Sequence, residues 1–348
     1  MAEKLEETMS FNWEPYYKRI LALEAQGKYS QSDIAAMLTD ESGETITRDM
    51  VRHALERAHE TIGPLSEMPK ADRIPYVTKY MPYITGEKSP EPKDWSLRSN
   101  LLRKPNAKIL VHSDLHIPFH DEKKISESMA KHIDADAYVI IADMIDAYEL
   151  SVFDKSMDMP FVFELDEALR ILEYASQNFP LVEVLEANHE ARVKRQIERN
   201  LPPSLQILAN KNILKVLAAP FPNVIVHSDL WFFQLGTGIF CHPEKNSNVE
   251  LKAAVSVYAH FAEWEDAYGL APWNYIAVAH THQMGVGYFG KAKVIETGCL
   301  SGPMSYALSP KIPYKHPASQ GYSIVRMHEG VVDHNESREY RFDPETII

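Results

Sequence analysis

From Phe11 to Ile62 apolar residues recur at helical spacing: Ile20, Leu21 and Leu23, then Ile34, Ala35 and Leu38, then Val51, Ala54 and Leu55. The pattern predicts three helices, with Ser30 and Thr47 as N-caps of the second and third and Gly43 in the turn between them. At Gly63 it changes. Pro64, Pro69, Pro75, Pro82, Pro90, Pro92 and Pro105 interrupt any long regular element up to Asn106, which predicts a linker or a strap lying on the next domain. The tyrosines and Trp95 in this stretch predict that parts of it pack. From Ala107 onward short apolar runs alternate with helical text. ILV at 109–111, AYVIIAD, LVEVLEAN, NVIVHS, WFFQL, IFCH, YIAVAH, AKVIETG and YSIVRM predict strands, with helices between Leu165 and Leu217 and around Val249 to Tyr268. Gly236-Thr237-Gly238 predicts a hairpin joining WFFQL to IFC. The expected division is therefore a helical domain over 1–62, a Pro-rich linker or strap over 63–106, and a layered α/β domain over 107–348.

The strands share an ending. ILV runs into Asp114-Leu115-His116, AYVII into Ala142-Asp143-Met144-Ile145-Asp146, and LVEVLE into Ala187-Asn188-His189-Glu190. IFC is followed by His242, and YIAV by Ala279-His280-Thr281-His282. One Asp-x-His alone reads equally as a turn former beside a hydrogen-bonded histidine. Five such endings in order point to one metal site. The donors are oxygen and nitrogen without thiolate, which suits Mn²⁺, Fe or Zn²⁺. Six or seven donors exceed what one ion needs and match two ions ~3.5–4 Å apart, the arrangement that clamps attacking and leaving oxygens in phosphoryl hydrolysis.

Composition narrows the partners. The 348 residues are 45% hydrophobic and 24% charged, an ordinary globular balance, and the formal net charge is −13. That charge disfavours whole-surface adhesion to nucleic acid, so phosphate binding has to come from a local basic patch or from bound metal. Cys241 and Cys299 show no Cys-x-x-Cys spacing, which predicts a reducing compartment. The N-terminus MAEKLEETMS is acidic and has no apolar h-region, and no apolar run approaches the ~18 residues of a membrane span. The cytoplasm is expected, or the host cytoplasm for a phage-encoded chain.

In order, spacing and strand context the motifs resemble those of the calcineurin-like metallophosphoesterases, namely Asp-x-His, Gly-Asp-x-x-Asp, Gly-Asn-His-Asp/Glu, a lone His, and Gly-His-x-His. The resemblance covers roughly Ala107 to Gly298. It implies a four-layer αββα sandwich of two mixed sheets, here preceded by a small all-α domain. It also implies one metal on Asp114, His116 and His282, another on Asn188, His242 and His280, and Asp143 bridging the two. A metal-bridged hydroxide would be the nucleophile. His189 would protonate the leaving oxygen or stabilise the transition state, and Asp146 matches the carboxylate that orients that histidine. From the residues alone Asp146 reads equally as a helix cap. Arg192 reads either as a bidentate phosphate ligand or as a solvated helix charge. The ions expected are two divalent cations, Mn²⁺ first, with Fe, Zn or Mg as alternatives. Ala142, Ala187 and Ala279 stand where the family usually has glycine, and Pro243 follows His242 where glycine is frequent.

Two features bear on the substrate. YSQSDIAAML, the Gly43 turn and ITRDMVRHALERA read as a helix-turn-helix unit, which suggests delivery to DNA. Arg48, Arg52 and Arg57 on its third helix are opposed by Asp49, Glu56 and Glu60, so a protein-docking or dimerising module is the other reading, and homo-oligomerisation stays open. Basic residues also gather at Arg192, Lys194, Arg195 and Arg199, and at Lys88, Lys93, Arg98, Arg103, Lys104 and Lys108; beside the metals they would form a phosphate-tracking groove. The layout is similar to phosphoesterases carried by bacteriophages. The expected function is a two-metal phosphodiesterase acting on nucleic acid, a DNA nuclease. The alternatives are a phosphomonoesterase of the protein-phosphatase kind, and a DNA-binding regulator whose phosphoesterase domain only scaffolds.

Overall fold

The computed structural model describes residues 11–68, 74–151, 158–200, 202, 212–244, 247, 249–302 and 318–342. They form two compact units, one of residues 11–68 with 122–134, the other of the remaining described chain.

In the first unit helices α1 (Tyr17–Ala25), α2 (Gln31–Ser42) and α3 (Arg48–Thr61) bury the residues that the spacing singled out. The Ser30 hydroxyl accepts from Asp33 N–H while the Asp33 carboxylate accepts from Ser30 N–H at 2.8 Å, a reciprocal cap that fixes the start of α2. Gly43 stops α2 with φ of 73°, where any other residue would be strained, and the Thr47 hydroxyl accepts from Met50 N–H to start α3. The fourth helix of this unit, α6 (Glu122–Lys131), comes from inside the stretch that the sequence assigns to the α/β domain. Its Ile125 and Met129 are fully buried.

In the second unit the 63–106 stretch contributes two helices, α4 (Pro75–Thr85) and α5 (Ser96–Leu102). The Lys79 ammonium and Tyr80 hydroxyl both donate to the Glu173 carboxylate on α7 (Phe161–Asn178), which holds α4 there. The strands are β1 (Ala107–Ser113), β2 (Ala137–Ile141), β3 (Leu181–Leu185), β4 (Val224–His227), β5 (Phe232–Leu235), β6 (Gly238–Cys241), β7 (Tyr275–Val278), β8 (Met284–Phe289), β9 (Ala292–Thr297), β10 (Gly321–His328) and β11 (Val331–Arg341). The remaining helices are α8 (Ala191–Asn200), α9 (Ile213–Leu217) and α10 (Lys252–Tyr268).

Two mixed sheets result, ordered β11-β10-β1-β2-β3-β4 and β5-β6-β7-β9-β8. β1 to β4 run parallel, and so do β6, β7 and β9. Ile109, Val111, Val139 and Leu185 of the first sheet share one core with Phe233, Phe240, Ala277 and Ile295 of the second. On the second sheet's other face Ile239, Ile276, Val278 and Val294 pack with Ala254, Val257 and Phe261 of α10, while Tyr138 of the first sheet meets Phe179 at the end of α7. The architecture is helix, sheet, sheet, helix. The β5–β6 hairpin turns at Gly236, where φ is 57° and a Cβ would run into the Gly330 carbonyl. No helix among the described residues is long and apolar enough to cross a membrane.

Candidate metal centre

The parallel strands of both sheets end at one place. Asp114 and His116 follow β1, Asp143 and Asp146 follow β2, Asn188 and His189 follow β3, His242 follows β6, and His280 and His282 follow β7. This is the crevice beyond the carboxyl ends of strands where α/β proteins bind ligands. The loops after β1 and β2 are tied together: His116 N–H donates to Asp143 O at 2.8 Å, Ile117 N–H to Met144 O at 3.0 Å, and Asp146 N–H back to Ile117 O at 2.8 Å. Across the sheets His280 N–H donates to Asp114 Oδ1 at 3.1 Å. These ties hold a contorted backbone. Asp114, His116, Asp143, His280 and His282 all have positive φ, and so does Ala142 at 59°. Of Ala142, Ala187 and Ala279, only Ala142 needs left-handed backbone.

The donor atoms fall into two groups that meet at Asp143. In the first, His282 Nε2 lies 3.0 Å from His116 Nε2 and 3.4 Å from Asp114 Oδ1, and His116 Nε2 lies 4.0 Å from Asp114 Oδ1. Donors bound at about 2.1 Å to a common ion would stand roughly 3–3.5 Å apart; two of the three distances fall in that range, and the His116–Asp114 distance is wider. In the second group, donor atoms of Asp143, His242 and His280 lie within 4.8 Å of one another. Asp143 Oδ2 is 3.1 Å from His242 Nε2 and 3.7 Å from His116 Nε2. His242 Nε2 is buried between two carboxylate oxygens, 3.1 Å from Asp143 Oδ2 and 3.3 Å from Asp114 Oδ1. The buried Oδ1 of Asn188 has no hydrogen-bond partner. A buried acceptor left without a partner is costly unless something fills the gap, and oxygen and nitrogen atoms so placed fit a divalent ion.

Charge supports the same fit. Burial pushes Asp114 and Asp143 up, but the facing histidines outweigh it and hold both carboxyls well below the usual range. Burial pushes His242 down, yet the Asp143 and Asp114 carboxylates raise it to about 10. His116 falls to about 4, chiefly by burial. A cation is favoured between those carboxylates, whether proton or metal.

Behind the donors lies a second arrangement. His189 Nδ1 is 2.9 Å from Asp146 Oδ1, and His116 Nδ1 is 3.1 Å from the same oxygen. Asp146 therefore orients two histidines, and no helix begins at it. Burial lowers the His189 pKa, but Asp143 and Asp146 outweigh it and raise it. Arg192 donates to Asp146 O at 2.9 Å and lies 3.0 Å from His189 Nε2, so it belongs to the site and is no free helix charge. Of the other basic residues, Arg195 donates to Asn188 O at 2.6 Å. Lys93 donates to the carbonyls of Ala218 and Phe221, Arg98 pairs with buried Glu183, and Lys104 with Asp136, so these three serve structure.

Two buried carboxylates matter that the sequence does not single out. Glu190 accepts from Ile145 N–H and Ala187 N–H, clamping the loop after β2 to that after β3. Its place beside His189 was the available signal. Glu164 on α7 accepts from Ala147 and Tyr148 N–H at 2.7 and 2.8 Å, directly behind Asp146, and burial raises it to about 8. In the sequence it reads as an ordinary helix charge.

No family model matches the sequence, and no curated protein matches it. Among solved structures an archaeal phosphodiesterase is similar at 15% identity, over 68% of this chain and 99% of its own, with a TM-score of 0.34. Zinc-complexed Vps29 of Entamoeba histolytica is similar at 9% identity over 68% and 98%, with a TM-score of 0.33. A Streptococcus pneumoniae protein described as a phosphoesterase is similar at 12% identity over 68% and 98%, with a TM-score of 0.27. At these TM-scores the likeness carries no chemistry to this chain.

Proposed function

We propose that this chain is a two-metal phosphodiesterase that hydrolyses nucleic acid, with DNA as substrate. The observation that carries the proposal is the position of Asp143. Its Oδ1 accepts from His189 N–H at 3.3 Å, and its Oδ2 faces His242 on one side and His116 on the other, so one carboxylate belongs to both donor groups. Asp114, His116 and His282 would hold one ion and Asn188, His242 and His280 the other, with Asp143 shared. The thiolate-free donor set suits Mn²⁺, with Fe, Zn and Mg as alternatives. A pair of divalent ions supplies Lewis-acid polarisation of phosphoryl oxygens and lowers the pKa of water.

The chain's own part follows from the side chains. Asp114 and Asp143 stay ionised well below neutral pH, as ligands must. Asp146 keeps His189 Nδ1 as the donor toward itself, which leaves Nε2 as the nitrogen that faces the reaction. Without substrate, Nε2 is met by Arg192. A phosphate oxygen that draws the guanidinium away frees Nε2 to hold the proton for the leaving oxygen, and the raised His189 pKa favours that charged form. Exposed Arg48, Arg52 and Arg57 on capped α3 support DNA as the polymer, tempered by Asp49, Glu56 and Glu60 on the same helix.

The test is hydrolysis of end-labelled single-stranded and duplex DNA in Mn²⁺, beside bis-p-nitrophenyl phosphate and p-nitrophenyl phosphate, with Asp143→Asn as control. Metal-dependent DNA cleavage absent from the variant is expected. Cleavage of the monoester alone would overturn the diesterase assignment.

A further inference from the structure

Helix α8 starts immediately after the His189-Glu190 corner and carries Arg192, Arg195 and Arg199 at i, i+3 and i+7. That spacing puts the three on one stripe of the helix, roughly 10 Å long at 1.5 Å per residue. The stripe begins inside the site, because Arg192 touches His189 and Asp146, and Arg195 is held on the carbonyl of Asn188. Arg195 and Arg199 are exposed, and among the described residues neither has an acidic partner. Lys194 and Glu198, which pair at 3.8 Å, are each one position away from the stripe. Arg195 spends one N–H on Asn188 O, which leaves most of its five donors for solvent or a ligand.

On an acidic chain a line of three guanidinium groups that starts on Asp146 and continues through two arginines without an acidic partner among the described residues is out of character for a solvated helix face. We propose that Arg192, Arg195 and Arg199 form a track for successive phosphates of a nucleic-acid strand lying to one side of the bond that is cut. The proposal rests on the phosphodiesterase assignment and deepens it, because it makes the substrate a polymer with phosphates beyond the scissile one. Arg192 serves the phosphate at the reacting centre, while Arg195 and Arg199 are binding residues for those that follow. Planar guanidinium groups match phosphate oxygens bidentately, and each phosphate neutralised releases counterions. Affinity along such a track is therefore salt-dependent in proportion to the arginines engaged.

The experiment measures kcat/KM of the Mn²⁺-loaded enzyme on single-stranded oligonucleotides of increasing length, from about 50 to 200 mM salt, with bis-p-nitrophenyl phosphate alongside. For the wild type, kcat/KM is expected to rise as phosphates are added on one side of the cut bond and then to level off. Arg195→Ala and Arg199→Ala are each expected to flatten the log–log salt slope by about 0.7. The double variant should lower the ratio of oligonucleotide to small-diester kcat/KM at least tenfold, while the pair changed to Lys keeps the slope. Lys291→Ala, which removes a charge at the opposite end of the second sheet, should leave the slope as in the wild type. A double alanine variant with the wild-type slope, or kcat/KM independent of length, would overturn the track while leaving the diesterase intact. Failure of the wild type on the small diester as well would remove the assignment beneath it.

Discussion

Asp114, His116 and His282 all sit on left-handed backbone, with φ of 49°, 49° and 56°, whereas of Asn188, His242 and His280 only His280 does, at 79°. The two halves of the centre are thus built differently. In the first, backbone strain of roughly 1–2 kcal/mol per residue aims the donors, and the side chains close on one another, His116 on His282 and on Asp146. In the second the backbone is mostly relaxed, and the buried Asn188 Oδ1 lacks a hydrogen-bond partner. The first half is preformed. The second leaves one buried amide oxygen open to a ligand. On the proposed two-metal reading, such a difference would make the two ions unequal, with the first half holding its ion more tightly.

The largest effect should come from removing what the halves share. Asp143→Asn takes away the negative charge between them, and Lewis-acid stabilisation worth several kcal/mol corresponds to a loss of about 10³ or more in kcat/KM. Full activity of this variant with two bound ions would show that the halves do not act together. Next, His189→Ala should keep two ions per chain by metal analysis while kcat falls about 10²–10⁴-fold, since it removes a proton donor and no ligand. Loss of an ion instead would make His189 part of the second half. Third, Asn188→Ala should retain one tightly held ion through a chelator titration, whereas His282→Ala should weaken the tighter of the two by roughly 10–100-fold or more. Equal weakening in both variants would erase the asymmetry.

The residues that meet at the centre were readable in the sequence because ligand types, each ordinary at a single strand end, recur in order at five of them. Apolar runs gave away the central strands for the same reason that they form a core, being buried on both faces. The two strands that escaped are edges. β11 reads VVDHNESREYR because it has exposed positions to fill with polar residues, and β8 hides behind Gly285 and Gly287. Helix α4 was masked by prolines, although Pro75 stands at its first position, where the missing N–H costs nothing. Helix α6 was invisible as part of the first unit, since nothing in Glu122–Lys131 says which unit will bury Ile125. Glu164 and Glu190 act through backbone N–H groups, and a carboxylate that will accept from a distant loop looks like any other helix charge.

Glu164 offers a smaller and pH-dependent effect behind the first half. Its folded carboxyl titrates near 8, against about 4.3 in an unfolded chain. Between those values the folded protein keeps a proton that the unfolded chain has lost. Its contribution to stability is therefore complete below pH ~4.3 and is lost as pH rises toward 8. Glu164→Gln cannot ionise, so urea midpoints measured from pH 5 to 9 should show the variant gaining on the wild type until about pH 8, then running parallel. Superimposed is a constant loss of about 1 kcal/mol, because the amide accepts only one of the two N–H bonds from Ala147 and Tyr148. A difference between the two proteins that does not change with pH would mean that Glu164 is ionised in the fold throughout.

The smallest effect tests the strain itself. Ala142 and Ala277 are both fully buried in the core between the sheets, but Ala142 has φ of 59° while Ala277 lies within β7. Changing either to glycine removes one methyl, about 0.8 kcal/mol of burial, and frees the unfolded chain by roughly 0.4–1 kcal/mol. Only at Ala142 does glycine also relieve left-handed strain of roughly 1–2 kcal/mol. Those terms nearly cancel there, so Ala142→Gly should be within about 0.5 kcal/mol of wild type in urea unfolding, while Ala277→Gly should cost about 1–2 kcal/mol. Equal losses at the two positions would mean that the backbone before Asp143 is not strained. Asp143 would then owe its placement to side-chain packing alone.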